Sequence, residues 1–108
     1  MMTPALAVLV TALPLPPQQT PKPIQAMVVT GANNHDWKWT APQICAALQE
    51  TGRFDVTLTQ NPAADLKRAA ELHAADELDL IVLDYNGPRW GDPAERAFLA
   101  AVEAGCGV

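Results

Sequence analysis

At 108 residues, 49% of them hydrophobic and 18% charged, the chain has the length of one small domain and a composition that excludes a disordered polar segment. Seven basic residues against twelve acidic ones leave a net charge of −5, which repels phosphate backbones and anionic membrane surfaces. Nucleic acid is therefore excluded as an expected partner.

The first twenty residues, MMTPALAVLVTALPLPPQQT, carry no charged side chain. Their apolar run, Ala5 to Leu15, is shorter than the roughly 20 residues a membrane-spanning helix needs. Residues 1–20 are expected to be a signal peptide that sends the protein to the periplasm or outside the cell, with no membrane span. Residues 21–23 then read as a linker and 24–108 as the domain.

Ile24 to Thr30, IQAMVVT, is apolar almost without interruption and predicts a strand buried on both faces. A helix follows whose start is marked by a Thr40–Gln43 capping box and by a Trp39–Ile44 hydrophobic staple. Ile44, Ala47, Leu48 and Thr51 form its expected inward stripe, and Gly52 its left-handed end. Phe54, Val56 and Leu58 alternate with polar residues, the pattern of an edge strand.

Asn61 and Pro62 open a second predicted helix, Ala63 to about Ala75, with Ala63, Leu66, Ala70 and His73 as its packing face. Leu78 to Leu83, LDLIVL, predicts another central strand, and YNGPRWG a loop punctuated by Gly87, Pro88 and Gly91. Asp92 is the expected cap of a third helix with Pro93 at its first position and Phe98, Ala101 and Val102 facing inward. Gly105 ends it, and Gly107 and Val108 would begin a fourth strand.

Strand and helix alternating three times is the signature of α/β folds with a parallel sheet and right-handed crossovers. The two apolar strands belong inside and the alternating one at an edge, which gives the order 2-1-3. That is the front of a flavodoxin-like three-layer α/β/α sandwich, incomplete because strand 4 has only begun. An apolar third strand left without a neighbour would also favour association through the open sheet edge.

Ligands of such sheets sit above the carboxyl ends of the strands, at the switch point between strands one and three. The loops there are TGANNHDWKW and DYNGPRW, the richest in polar and aromatic side chains in the chain. An asparagine both donates to and accepts from a hydroxyl, a carboxylate accepts hydroxyl protons, and a tryptophan face covers the apolar side of a sugar ring. Asn33, Asn34, Asp36, Trp37, Asn86 and Trp90 supply that set, and His35 is the candidate for proton transfer. Each also has a plain structural role open to it: turn formation for the asparagines, backbone bonding for Asp36, packing for the tryptophans.

No cofactor is expected. The loop after strand one lacks the hydroxyl-rich character that cradles FMN phosphate, and it lacks the acidic pair of a receiver-type magnesium site. His35, Asp36 and Asp84 are a conceivable but undiagnostic metal trio, and Asp84 fits better as a brace of the following turn. Cys45 and Cys106 have no metal-type C-x-x-C spacing, and each reads as a small buried hydrophobe in preference to half of a disulfide.

TGANNHDW at Thr30 to Trp37, TGRFDV at Thr51 to Val56 and YNGPRW at Tyr85 to Trp90 resemble the ThuA-like, or trehalose-utilisation, family across about Ile24 to Val108. The resemblance implies a class I glutamine-amidotransferase-like domain concerned with carbohydrate utilisation, whose ligand would be a trehalose-like sugar. In that family a G-G-G-L-V run leads into the fourth strand; here Cys106 stands at its middle glycine. The resemblance thus implies the N-terminal half of a domain, inactive by itself, or alternatively a non-catalytic carbohydrate-binding or interaction module of a larger secreted enzyme.

Overall fold

A computed structural model describes residues 5, 12–14 and 21–108. The expected signal peptide therefore lies almost wholly outside the described residues. Residues 21–23 are exposed and in neither helix nor strand, and Lys22 is ion-paired with Asp76. No helix among the described residues is long and apolar enough to cross a membrane.

The strands β1 (Ile24–Val29), β2 (Phe54–Thr59) and β3 (Leu80–Leu83) form one parallel sheet in the order β2-β1-β3. Between them run α1 (Trp37–Glu50), the broken segment α2 (Pro62–Asp65), a 3₁₀ turn (Leu66–Arg68) and α3 (Ala69–Ala74), and finally α4 (Asp92–Glu103). The sequence-derived order holds, and the architecture is α/β, a partial flavodoxin-like sandwich.

The central place of β1 explains its composition. Met27 and Val29 pack with Leu66, Ala69, Leu78, Ile81, Ala94, Ala101 and Cys106 in one core cluster. Strand alternation turns Ala26 and Val28 to the opposite face, over which α1 lies with Ala41 buried. Each fully buried large aliphatic side chain here contributes about 1.5–3 kcal/mol through removal of apolar surface from water.

Several expectations about helices and strands require correction. The first helix begins one turn earlier than Thr40, because the main-chain oxygen of Asp36 accepts from the N–H groups of Trp39 and Thr40 at 3.0 and 2.9 Å. Thr40 is thus inside the first turn and its hydroxyl serves another partner. The staple is also absent: Trp39 is 63% exposed. With the helix re-phased, Ala41, Ile44, Cys45 and Leu48 face the sheet and Ala47 is exposed.

The second predicted helix is broken at Leu66–Arg68. In a 3₁₀ turn residues three apart eclipse, so the break stacks Leu66 over Ala69, and both are fully buried. The third strand starts at Leu80, not Leu78. Asp79 Oδ2 accepts the Gln25 N–H at 2.8 Å, a bond that a ladder carbonyl would otherwise supply. Helix α4 has Asp92 as its first residue and Gly91, at φ 93°, in the capping position.

Beyond β3, Gly107 takes the place of the expected fourth strand. It bridges Leu80 in parallel, with Ile81 N–H donating to Gly107 O and Gly107 N–H to Asp79 O, both at 2.9 Å. Cys45 and Cys106 are both free, and burial pushes both thiols above their usual range.

His73 ties the helical layer together, with Nδ1 2.7 Å from Leu78 O and Nε2 3.2 Å from Ala104 O. Both partners are acceptors, so only the imidazolium, with two N–H donors, satisfies both. Those two carbonyls, Leu78 first, raise the His73 pKa above its ordinary 6.5. The resulting stabilisation is complete below the unfolded-state pKa and is lost as pH rises through the folded-state pKa. We expect the wild-type melting temperature to fall as pH climbs from 6.5 upward, and the His73→Gln variant to lack that component of the pH profile. Parallel profiles would remove His73 from the stability balance.

Candidate functional site

The β1 and β3 carboxyl ends lie side by side, and their connections leave in opposite directions, α1 to one face and α4 to the other. Thr30, the residue after β1, is fully buried, and its N–H donates to Thr59 O at 2.9 Å. Gly31 then turns at φ 116°, and a Cβ there would sit 2.5 Å from the main-chain oxygen of Gln60. The chain can turn toward β3 only because that atom is missing.

The two polar loops meet. Asn86 N–H donates to Ala32 O at 2.8 Å, and Asn86 Nδ2 reaches Asn34 Oδ1 at 3.4 Å. Gly87 lies so close that a Cβ would stand 2.4 Å from Ala32 Cβ. The approach of the second loop to the first thus depends on glycine at 87 as well.

Below this contact Asp84, at the end of β3, joins three elements. Its Oδ1 accepts Asn33 Nδ2 at 2.9 Å, and its Oδ2 accepts the Thr40 hydroxyl at 2.8 Å and the Thr30 hydroxyl at 3.5 Å. Its own N–H continues the ladder to Val29 O at 2.9 Å. The Asp84 carboxylate therefore fastens the first loop and α1 to β3, whereas the sequence suggested that it braces the following turn.

The proposed binding residues divide into groups. Asn33, Asn34 and Asn86 gather at the loop contact, Asn33 half-buried and the other two exposed. His35 and Asp36 are exposed beside them; His35 N–H donates to Asn33 Oδ1 at 3.2 Å, and Asp36 starts α1 through its main-chain oxygen. Trp37 turns away from β3 and lines a hollow of about 210 Å³ with Thr30, Ala41, Leu58 and Gln60, its ring 5.7 Å from Lys38 Nζ.

Trp90 lies on the other side. It meets Tyr85 and Phe98 edge-on, at ring-centroid distances of 5.8 and 5.4 Å, and its buried Nε1 lacks a hydrogen-bond partner among the described residues. One hollow of about 370 Å³ is lined by both loops: Gly31 and Ala32 from the first, Tyr85, Pro88 and Trp90 from the second, with Asn61 beside them. A larger cleft, about 530 Å³, runs from Trp90 along Phe98 and Leu99 of α4. The Arg89 guanidinium grips Glu95 with two bonds of 2.9 and 2.7 Å, holding the Glu95 carboxyl below its usual range and the second loop against α4.

The metal trio does not assemble. Among the described residues no three His, Cys, Asp or Glu side chains converge, and both Asp84 oxygens are already engaged. Thr40 and Asp84 belong to the site in a role that the sequence reading, which made Thr40 a helix cap and Asp84 a turn brace, did not give them. The signal available was a single carboxylate at the end of an otherwise apolar strand, at the switch point of the sheet.

No family model and no curated protein matches the chain. It is similar to the crystal structure of a protein from Parabacteroides merdae ATCC 43184 described as ThuA-like, with 36% identity and a TM-score of 0.62. The match covers 81% of this chain and 31% of that one, so the chain spans about a third of its relative's length.

Proposed function

We propose that residues 24–108 are the N-terminal part of a ThuA-like domain in an exported protein, and that the meeting of its two polar loops binds a trehalose-like carbohydrate. One observation carries the reading: Asn33 and Asn86 join the loops at the carboxyl ends of adjacent strands whose connections diverge. The similarity to a ThuA-like protein supports the family, and Gly107 in fourth-strand position supports a sheet that continues.

The chemistry suits a polyhydroxylated ligand better than a charged one. Asn34 and Asn86 are exposed amides, each able to donate and accept, and the shared hollow of about 370 Å³ adds the aromatic walls of Tyr85 and Trp90. His35 beside them is the proton-transfer candidate. A carbohydrate-binding module without catalysis is the second reading, and it is favoured by the open position of His35, which among the described residues has a hydrogen bond through its main chain only.

Titration calorimetry and product analysis with trehalose, glucose and their 3-keto derivatives test the proposal. The 108-residue chain is expected to turn over none of them, since it spans about a third of the length of the ThuA-like protein it resembles. Turnover by this chain would overturn the incomplete-domain reading. In the longer protein, Asn34→Ala with Asn86→Ala should abolish sugar binding; unchanged affinity would remove the loops from recognition, and unchanged turnover in His35→Ala would favour the binding module.

A further inference from the structure

We propose that Asp84 is a positioning residue that sets His35 at the loop contact by fixing the amide of Asn33. The inference rests on the proposed role of that contact in ligand handling, and the geometry behind it is local. An ionised carboxylate has only acceptors, so Asn33 can approach Asp84 Oδ1 only through its NH₂ group, as it does at 2.9 Å. With Nδ2 committed, Oδ1 of the same amide is left facing the other way. It accepts the His35 N–H at 3.2 Å.

The second carboxylate oxygen fixes the orientation of Asp84 itself. Thr40, in the first turn of α1, and Thr30, the residue after β1, both donate to Oδ2, so the Asp84 carboxylate is held from two sides. A line of hydrogen bonds thus runs from the sheet and α1 through Asp84 and Asn33 to the main chain of the exposed His35. Asn86, two residues after Asp84, closes the same loop from above through Ala32 O and Asn34. The first loop is a run of polar residues without helix or strand of its own, and this line is what gives His35 one place to stand.

The experiment is amide hydrogen exchange, read residue by residue in the full chain and in variants, so no sugar is needed. Asp84→Leu keeps the bulk and removes the acceptor: His35 N–H exchange should accelerate about tenfold, the loss expected for one hydrogen bond, while the amides of β1 keep their protection. Asp84→Asn retains an oxygen for Asn33 and offers an NH₂ that both threonine hydroxyls can accept, so it should keep the wild-type rate at His35. Asn33→Ala leaves the core untouched and should reproduce the Asp84→Leu effect.

Equal acceleration at His35 and throughout β1 in Asp84→Leu would mean that Asp84 only holds the fold together, and would overturn the proposal. So would wild-type protection of His35 in Asn33→Ala, or loss of it in Asp84→Asn. Failure of sugar binding in the longer protein with these exchange results intact would instead count against the carbohydrate reading alone.

Discussion

Gly31→Ala is expected to destabilise the chain by on the order of 3 kcal/mol, the combined cost of a left-handed backbone for a residue with a side chain and of overpacking against a main chain that cannot yield. The backbone at Gly31 has φ 116°, and the new Cβ would stand 2.5 Å from Gln60 O, with two more atoms of Gln60 within 3.3 Å. Gln60 follows the last residue of β2, whose partner is Val29, so relief requires the β1–β2 ladder to part at that end. For a domain of this size such a loss lowers the melting temperature by more than about 10 °C. Thermal denaturation of the two chains checks it; a shift within 1 °C of wild type would show that the turn has room.

Leu66→Ala carries the second large effect, a loss of about 2–5 kcal/mol from lost apolar transfer and the cavity left behind. Leu66 is wholly buried at the start of the 3₁₀ turn and belongs to the cluster that joins β1, β3 and α4. The turn exists to place Leu66 and Ala69 in register, so collapse of the surroundings onto the cavity would need the helical segment to rewind. The urea midpoint should drop with its slope unchanged, and a midpoint within a tenth of the wild-type value would refute the central role of this side chain.

Strand identity and sheet order were legible because they depend on how many faces of a strand are buried. Ile24 to Val29 has no polar alternation and sits between two neighbours, whereas Phe54, Val56 and Leu58 alternate and stand at the edge. Helix limits were less legible, since they are settled by main-chain bonds and by distant partners. Thr40 has the sequence signature of a cap, yet Asp84, 44 residues away, takes its hydroxyl. The site divides in the same way. That the two loops face each other follows from topology alone, but no local pattern tells Trp37, turned toward Leu58, from Trp90, packed on Tyr85 and Phe98.

Among the strands described, the central one is also the first to leave the ribosome. Ile24 must wait for Phe54, and Ala26 for Leu80, before either edge of β1 finds its hydrogen-bonding partner. Throughout that interval this apolar segment is a nascent ribbon with both rims open, and only non-local closure ends its exposure. Synthesis of this chain therefore passes through a window in which chaperone capture competes with misassociation, and the window shuts when residue 83 emerges and Leu83 can pair with Val29.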